Sequence, residues 1–202
     1  MHILKGLILV YHIYAGKIMI EMEVTSMSNT RNKTYSLVIC AMFITLVYVA
    51  TWLINIRLPL PGTGGLIHMG NVPLFVAAML FGRKTGAVAG AIGMGLFDLM
   101  SGWTLWAPFT FIIVGAMGYV VGLFAEKKPI HNAMVNNIVS IILALIIKVV
   151  GYYFAEVILY GNWIIPLGSI PGNVFQVGIA GIIVLLVIEK IRKQVKLDSI
   201  IV

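Results

Sequence analysis

The sequence predicts an all-α membrane protein, a six-helix transmembrane bundle with both termini cytosolic. Three observations carry that prediction. Sixty per cent (60%) of the 202 residues are hydrophobic and only 10% are charged, with a mean hydropathy of +1.03, far outside the soluble norm. Several apolar runs reach the ~20 residues needed to cross a hydrocarbon core, and a soluble chain of this size could not bury them all. Finally, the basic residues cluster at alternate connections: Arg31 and Lys33, Arg83 and Lys84, Lys127 and Lys128, then Lys190, Arg192, Lys193 and Lys196. Arg57 is the one exception in the intervening connections. This is the positive-inside pattern, so the net charge of +7 marks topology and not a nucleic-acid face.

Residues 1–30 form the first segment. Leu7 to Ala15 is apolar, but Lys17, Glu21 and Glu23 interrupt it before a full crossing. A cleaved signal peptide ending near Ala15-Gly16 would place Arg31 and Lys33 outside, against the charge rule. A short interfacial helix, or a dispensable extension with Met27 as an alternative start, is therefore expected. Residues 31–196 make the membrane domain, and residues 197–202 a short tail.

Helix one is expected over Ser36–Ile56. Pro59 and Pro61 stop it, and Gly62-Thr63-Gly64-Gly65 reads as a mobile external loop. Helix two covers Asn71–Phe81, with Asn71 as N-cap two residues before Pro73. The chain turns at Gly82-Arg83-Lys84, and helix three covers Thr85–Met100. Both are short for a ~30 Å core, so they are either two crossings or a re-entrant pair of half-helices. Helix four starts at Pro108, suited to a first turn, and ends near Ala125. Helix five covers Ala133–Leu159. Helix six starts at Ser169-Ile170-Pro171, a cap followed by proline, and ends near Ile191. No internal repeat divides the chain.

That topology gathers the polar residues of the spans in the outer half. Asn71 begins helix two, Asp98 nears the end of helix three, and Asn173 and Gln176 lie in the first two turns of helix six. On helix five, Lys148, Tyr152 and Glu156 are spaced i, i+4, i+8 and form one stripe. A carboxylate in a span costs ~2.5–3.5 kcal/mol even on lenient scales, so Asp98 and Glu156 must face a cavity or a partner. Lys148 and Glu156 stand ~12 Å apart along the helix axis, too far for direct pairing, which leaves a ligand, water or Asp98 between them. Trp163 reads as an interfacial anchor. Trp103 and Trp106, close to Asp98, read either as anchors or as walls of a pocket, and Asn173 either as a brace of helix six or as a ligand contact.

Other chemistry lacks support. The single cysteine, Cys40, lies in a span and excludes an internal disulfide; it reads as a small buried hydrophobe. Gly86-x3-Gly90 and Ala89-x3-Gly93 are the small-xxx-small pattern of close helix packing. Gly82-Arg83-Lys84-Thr85 resembles the end of a Walker A motif, but Ala78 stands where its first glycine is required. No H-E-x-x-H, G-x-S-x-G or metal-spaced Cys/His cluster is present. Neither catalysis nor a cofactor nor a metal is expected.

From Ser36 to Lys193 the chain resembles the substrate-binding S components of energy-coupling factor (ECF) vitamin transporters. The resemblance rests on Ile67-His68-Met69-Gly70-Asn71, Gly86-Ala87-Val88-Ala89-Gly90, Phe97-Asp98-Leu99, Trp106-Ala107-Pro108-Phe109-Thr110-Phe111, Ala155-Glu156 and Ile170-Pro171-Gly172-Asn173, in that order over six spans. It implies the ECF S-component bundle in a bacterial or archaeal cell membrane, with an outward-facing pocket under a lid formed by the first external loop. Here that loop is Arg57 to Ile67, so Pro61, Gly62, Gly64 and the adjacent His68 are candidate lid residues. The resemblance further implies no ATP hydrolysis by this chain, and pairing with a transmembrane coupling subunit and two ATPase subunits. Docking is commonly carried by Ala-x-x-x-Ala on helix one; this chain has Ala41-Met42-Phe43-Ile44-Thr45, a departure that keeps small residues at Ala41 and Thr45. Asn71 stands where related sequences often carry Asp.

The resulting expectation is a pocket in which Trp103, Trp106 and Tyr152 stack a flat heterocycle. Asp98, Glu156, Asn173 and Gln176 read its donors, Lys148 an acceptor, and Asn71 lies beside them. A pyridoxine- or hydroxymethylpyrimidine-sized vitamin fits these mixed charges better than a phosphate ester, and riboflavin remains open. The alternative is a stand-alone ion-coupled transporter or channel with Asp98, Lys148 and Glu156 as a proton relay.

Overall fold

The computed structural model describes residues 33–57 and 66–195. The chain divides into two compact units, Met1–Ile39 and Cys40–Val202. Of the first, only the opening turns of a helix are described, so the architecture below is that of the second. The expectations for residues 1–30, for Pro61, Gly62 and Gly64, and for residues 197–202 lie outside the described residues.

Among the described residues, five helices are long and apolar enough to cross a membrane: α1 (Lys33–Leu53), α2 (Asn71–Met100), α3 (Ala107–Lys127), α4 (Ala133–Tyr160) and α5 (Ile170–Val195). A 3-10 turn, Ile165–Ser169, leads into α5. Helix α1 ends three residues earlier than the sequence suggests. The Asn55 side-chain amide donates back to the Trp52 carbonyl at 2.9 Å, and the chain becomes a short strand, β1 (Asn55–Arg57). This pairs antiparallel with β2 (Leu66–His68), Ile56 opposite Ile67. Three-residue strands leave no periodicity to read, so this pair was not anticipated.

Helix α2 contains both predicted helices two and three. At Gly82 the backbone has φ 84° and ψ −177°, a conformation essentially closed to any residue with a Cβ, and the chain folds back on itself. The contacts across the turn show the reversal. A Cβ on Gly86 would stand 2.6 Å from that of Ala78, and one on Gly90 would meet Leu74. Residues 71–81 and 83–100 are thus antiparallel arms whose tip is Gly82. The second arm is capped from another helix: the Arg83 N–H donates to Glu126 Oε1 at 2.8 Å, while Arg83 Nε pairs with Glu126 Oε2 at 3.3 Å.

The glycines of this hairpin do what the small-xxx-small pattern suggests. Gly86 faces Gly118 of α3 backbone to backbone, Gly122 meets Arg83, and Gly93 meets Val47 of α1. Phe43 and Phe81 rings pack at 5.4 Å and Tyr48 reaches Phe97 at 6.3 Å, so α1 lies along both arms. Helix α3 returns antiparallel to the second arm, since Gly95 meets Phe111 where Gly86 meets Gly118. Gly151 of α4 meets Ile113 of α3, and Gly181 of α5 meets Ile141 of α4.

Helix ends follow local chemistry. Asn132 caps α4, its side-chain oxygen accepting from the N–H groups of Met134 and Val135, and Gly161 with φ 61° closes it as left-handed C-caps do. Pro108 sits in the first turn of α3, as expected. Two expected caps are corrected. Gly70, not Asn71, is the N-cap of α2, which puts Asn71 inside the first turn. Ser169 donates its hydroxyl to the Pro166 carbonyl at 2.9 Å, so it closes the 3-10 turn that runs on into α5. The bundle has two chemically distinct ends. One, the hairpin tip, carries Arg83, Lys84, Glu126, Lys127 and Lys128, and Arg192 of α5 reaches the Met79 carbonyl there. The other carries Asp98.

Candidate functional site

The polar stripe of α4 is built as the spacing implies. Lys148, Tyr152 and Glu156 point inward on successive turns, with Lys148 2% and Glu156 5% exposed. Burying an ammonium and a carboxylate this deeply is costly unless other groups answer them. The answering groups come from three neighbouring elements. From the second arm of α2 comes Asp98, which interacts electrostatically with Lys148. Thr110, one turn into α3, donates through Oγ1 to Asp98 Oδ2 and lies 2.8 Å from the Tyr152 hydroxyl. The Lys148 ammonium stands over the Tyr152 ring, 5.5 Å from its centroid. Ser169, at the mouth of α5, lies beside Glu156.

No direct Lys148–Glu156 or Lys148–Asp98 ion pair forms. Among the described residues the contacts within 4.0 Å are Arg83–Glu126 and Arg192–Glu189, both at the hairpin-tip end. The three ionisable side chains of the spans therefore share a neighbourhood without neutralising one another by contact.

The fourth side of the cluster is the strand pair. Gln176, buried on α5, donates through Nε2 to the His68 carbonyl at 3.0 Å, which pins β2 to the bundle. The His68 ring is buried, and its Nδ1 accepts the Gly70 N–H at 3.3 Å. Burial first, and the Lys148 charge second, push the imidazole well below its ordinary pKa of 6.5, so it is neutral. His68, expected as part of a lid, is thus a fixed wall of the cluster.

Among the described residues, both polar atoms of the Asn71 amide and Glu156 Oε2 are buried without a protein hydrogen bond. Such atoms cost about 1–3 kcal/mol each, and Glu156 Oε2 belongs to the cluster itself. Asn173 is half-buried three residues before Gln176 on the same helix.

Aromatic residues border the cluster. Trp103 and Trp106 meet edge to face at 5.2 Å, and Trp106 meets Tyr160 of α4 at 6.0 Å. The Trp103 N–H donates back to the Asp98 carbonyl at 3.0 Å through the backbone, which ties this aromatic corner to the carboxylate. Trp163 is 64% exposed, in keeping with an interfacial anchor. Ala41 and Thr45 both lie on the exposed side of α1, where the Thr45 hydroxyl donates to the Ala41 carbonyl at 3.0 Å.

Of the predicted site residues, the structure joins Asp98, Lys148, Tyr152, Glu156, Gln176 and His68 in one cluster. It places Trp103 and Trp106 on its border. The sequence reading missed Thr110, Ser169 and Tyr160. Thr110 had a weak signal, since it falls in the first turn of the helix that follows Asp98. Among the described residues no group of three or more His, Cys, Asp or Glu is placed to hold a metal ion.

Comparisons with known proteins agree with this architecture. A family model described as ECF-type riboflavin transporter, S component, matches residues 31–193. An uncharacterised protein of Pyrococcus woesei is 32% identical over 106 residues, covering 52% of this chain and 69% of that protein. The thiamine precursor transporter HmpT of Lactococcus lactis subsp. cremoris is 29% identical over 120 residues, covering 59% of this chain and 66% of that one. A UPF0397 protein of Vibrio atlanticus is 30% identical over 170 residues, 70% of this chain and 91% of its own length. Among solved structures, the S component of a bacterial ECF transporter superposes with a TM-score of 0.65 at 21% identity, covering 81% of this chain and 99% of that chain, which shows a shared fold. With its bundle and residues 31–193 both matched, this multi-pass membrane protein belongs to the family of ECF-type riboflavin transporter S components.

Proposed function

We propose that this chain captures a water-soluble vitamin or vitamin precursor at the Asp98 end of the bundle and delivers it inward with a coupling subunit and two ATPase subunits. The observation that carries the reading is the convergence of Asp98, Lys148, Tyr152, Glu156, His68 and Gln176 at one end, with the unpartnered Glu156 Oε2 among them and the buried, unpartnered Asn71 amide three residues after His68 in the chain. The family is one of transporter components and not of enzymes. In this reading both arms of α2 count as crossings, which makes six. The basic residues at the hairpin tip then face the cytosol together with both termini, and the Asp98 cluster faces outside.

Charge narrows the ligand class. Asp98 and Glu156 supply two carboxylates against the single ammonium of Lys148, and His68 adds none. A phosphate ester would meet net repulsion, whereas a neutral heterocycle bearing hydroxyl or amine donors would meet acceptors. Pyridoxine and hydroxymethylpyrimidine have that character, and the similarity to a thiamine precursor transporter supports the second. Riboflavin is the larger candidate, supported by the family description. Lys148 would read a ring acceptor, Trp103 and Trp106 would flank the ring, and Asn173 would complete the rim.

Mass spectrometry of small molecules that co-purify with the protein in mild detergent identifies the ligand directly. Titration of the purified protein with the identified compound should then show Asp98→Asn binding at least about tenfold more weakly, since a hydrogen bond to a charged group is worth about 1.5–3 kcal/mol, while membrane insertion is unchanged. Unaltered affinity would remove Asp98 from the site. Uptake in liposomes should need ATP and co-reconstituted coupling and ATPase subunits. Uptake by this chain alone under a proton gradient would instead establish a stand-alone ion-coupled transporter.

A further inference from the structure

Thr110 bonds to both a candidate ligand-reading carboxylate and the hydroxyl of a candidate stacking ring. It is buried, 1% exposed, at the point where three helices meet. Its hydroxyl carries one proton and two lone pairs. The proton goes to Asp98 Oδ2, and an ionised carboxylate can only accept. At 2.8 Å from the Tyr152 hydroxyl, Thr110 has no proton left to give, so Tyr152 is the donor. The order is Tyr152 to Thr110 to Asp98, each step with a fixed direction.

Two consequences follow for the side chains at either end. The Asp98 carboxylate is held by one oxygen, Oδ2, so its rotation is fixed and Oδ1 keeps its accepting lone pairs. The Tyr152 ring is held by its hydroxyl and has the Lys148 ammonium over it, 5.5 Å from its centroid, so its orientation is constrained from two sides. Phenol, hydroxyl and carboxylate come from α4, α3 and α2 in turn, so the same bonds also set the spacing between those helices at the site.

We propose that Thr110 is a positioning residue for ligand capture. It orients the Asp98 carboxylate and the Tyr152 ring together, so that the pocket selects a flat heterocycle bearing a hydroxyl or amine donor next to its ring. The inference rests on the capture reading above.

The test uses the full chain in detergent, with riboflavin, pyridoxine and 4-amino-5-hydroxymethyl-2-methylpyrimidine as probes and titration calorimetry as the measurement. For any probe the wild type binds, Thr110→Val should bind roughly 10- to 100-fold more weakly, as expected for losing a hydrogen bond to a charged group. Thr110→Ser, which restores the hydroxyl, should recover affinity to within about threefold, less than the loss of one hydrogen bond. Thr110→Val should weaken binding less in an Asp98→Asn background than in wild type, because part of the threonine's effect passes through the carboxylate. A structural role would instead give losses that add, and additive losses overturn the proposal, as does Thr110→Val binding like wild type.

A second measurement needs no ligand. The sequence contains two aspartates, Asp98 and Asp198, so an Asp198→Asn background labelled with carboxyl-13C aspartate reports Asp98 alone in the infrared. Its carboxylate bands should shift in Thr110→Val and return in Thr110→Ser. Coincident bands in all three proteins overturn the Thr110–Asp98 bond. Failure of the wild type to bind any probe counts against the capture reading and overturns both, whereas wild-type binding with an unchanged valine variant overturns the role of Thr110 alone.

Discussion

One methyl group placed at either of two glycines separates packing from every other effect of substitution. Gly86→Ala and Gly178→Ala add the same atom, with the same hydrophobicity, to a membrane helix. At Gly178 nothing lies within 4 Å of the new Cβ, whereas at Gly86 it would stand 2.6 Å from the Ala78 Cβ and 2.8 Å from the Gly118 carbonyl oxygen. Those neighbours belong to other helical segments and include backbone, so relief requires the first arm of α2 or α3 to move. The alanine at Gly178 should therefore stabilise by about 0.5–1 kcal/mol through lower chain entropy. At Gly86 the same gain is set against overpacking of about 1–3 kcal/mol, for a net loss of up to roughly 2.5 kcal/mol. At about 2–4 °C per kcal/mol for a chain of this length, differential scanning fluorimetry in detergent should show Gly178→Ala melting at or above wild type. Gly86→Ala should melt below it, by up to roughly 10 °C. Equal shifts for the two variants, or a Gly86→Ala protein at least as stable as wild type, would refute the account of the glycines as close-packing sites.

Other outcomes follow from the exposed face of α1 and from His68. Ala41→Leu should leave ligand binding by the isolated chain intact while abolishing ATP-driven uptake with the coupling and ATPase subunits. Undiminished uptake would show that docking does not use that face. For His68, the folded state holds the imidazole neutral and the unfolded state does not, so below about pH 6.5 the unfolded chain binds the extra proton. Stability should thus be unaffected by this residue above neutrality and should fall as pH drops from about 6.5, by at most about 1.4 kcal/mol per pH unit. Melting temperatures of wild type and His68→Asn compared from pH 7.5 down to 4.5 measure the difference; identical slopes would mean His68 does not titrate differently on folding.

The fold was legible where lipid leaves few choices. Clusters such as Arg83-Lys84 and Lys127-Lys128 located the turns, and Gly82 marked the reversal because the backbone there excludes a side chain. Asp98, Lys148 and Glu156 were legible as a cluster for the same reason: a charge in a span demands an answer, and helical spacing alone put Lys148, Tyr152 and Glu156 on one stripe. What answered them was not legible. Thr110 is an ordinary residue in a span, and its partners Asp98 and Tyr152 lie 12 and 42 positions away, distances that only the folded packing of α2, α3 and α4 brings together. The strand pair escaped because three residues carry no period, and His68 changed from loop residue to wall through one hydrogen bond from Gln176. The Asn71 cap failed for a local reason: Gly70 takes the position before the first turn, its backbone donating to the His68 ring.

The cap on the hairpin tip imposes an order of assembly. The first backbone donor of the second arm of α2 is satisfied by Glu126, a residue 43 positions later in the chain. At a synthesis rate of ~5–20 residues per second, roughly 2–9 s separate the two in the making of the protein. Throughout that interval the tip has its basic side chains but neither its acceptor nor the counter-charge, and it must rest among lipid headgroups or against the insertion machinery. Only when the far end of α3 arrives does the carboxylate close the tip, so the hairpin is completed by a helix that had not yet been synthesised when the turn was made.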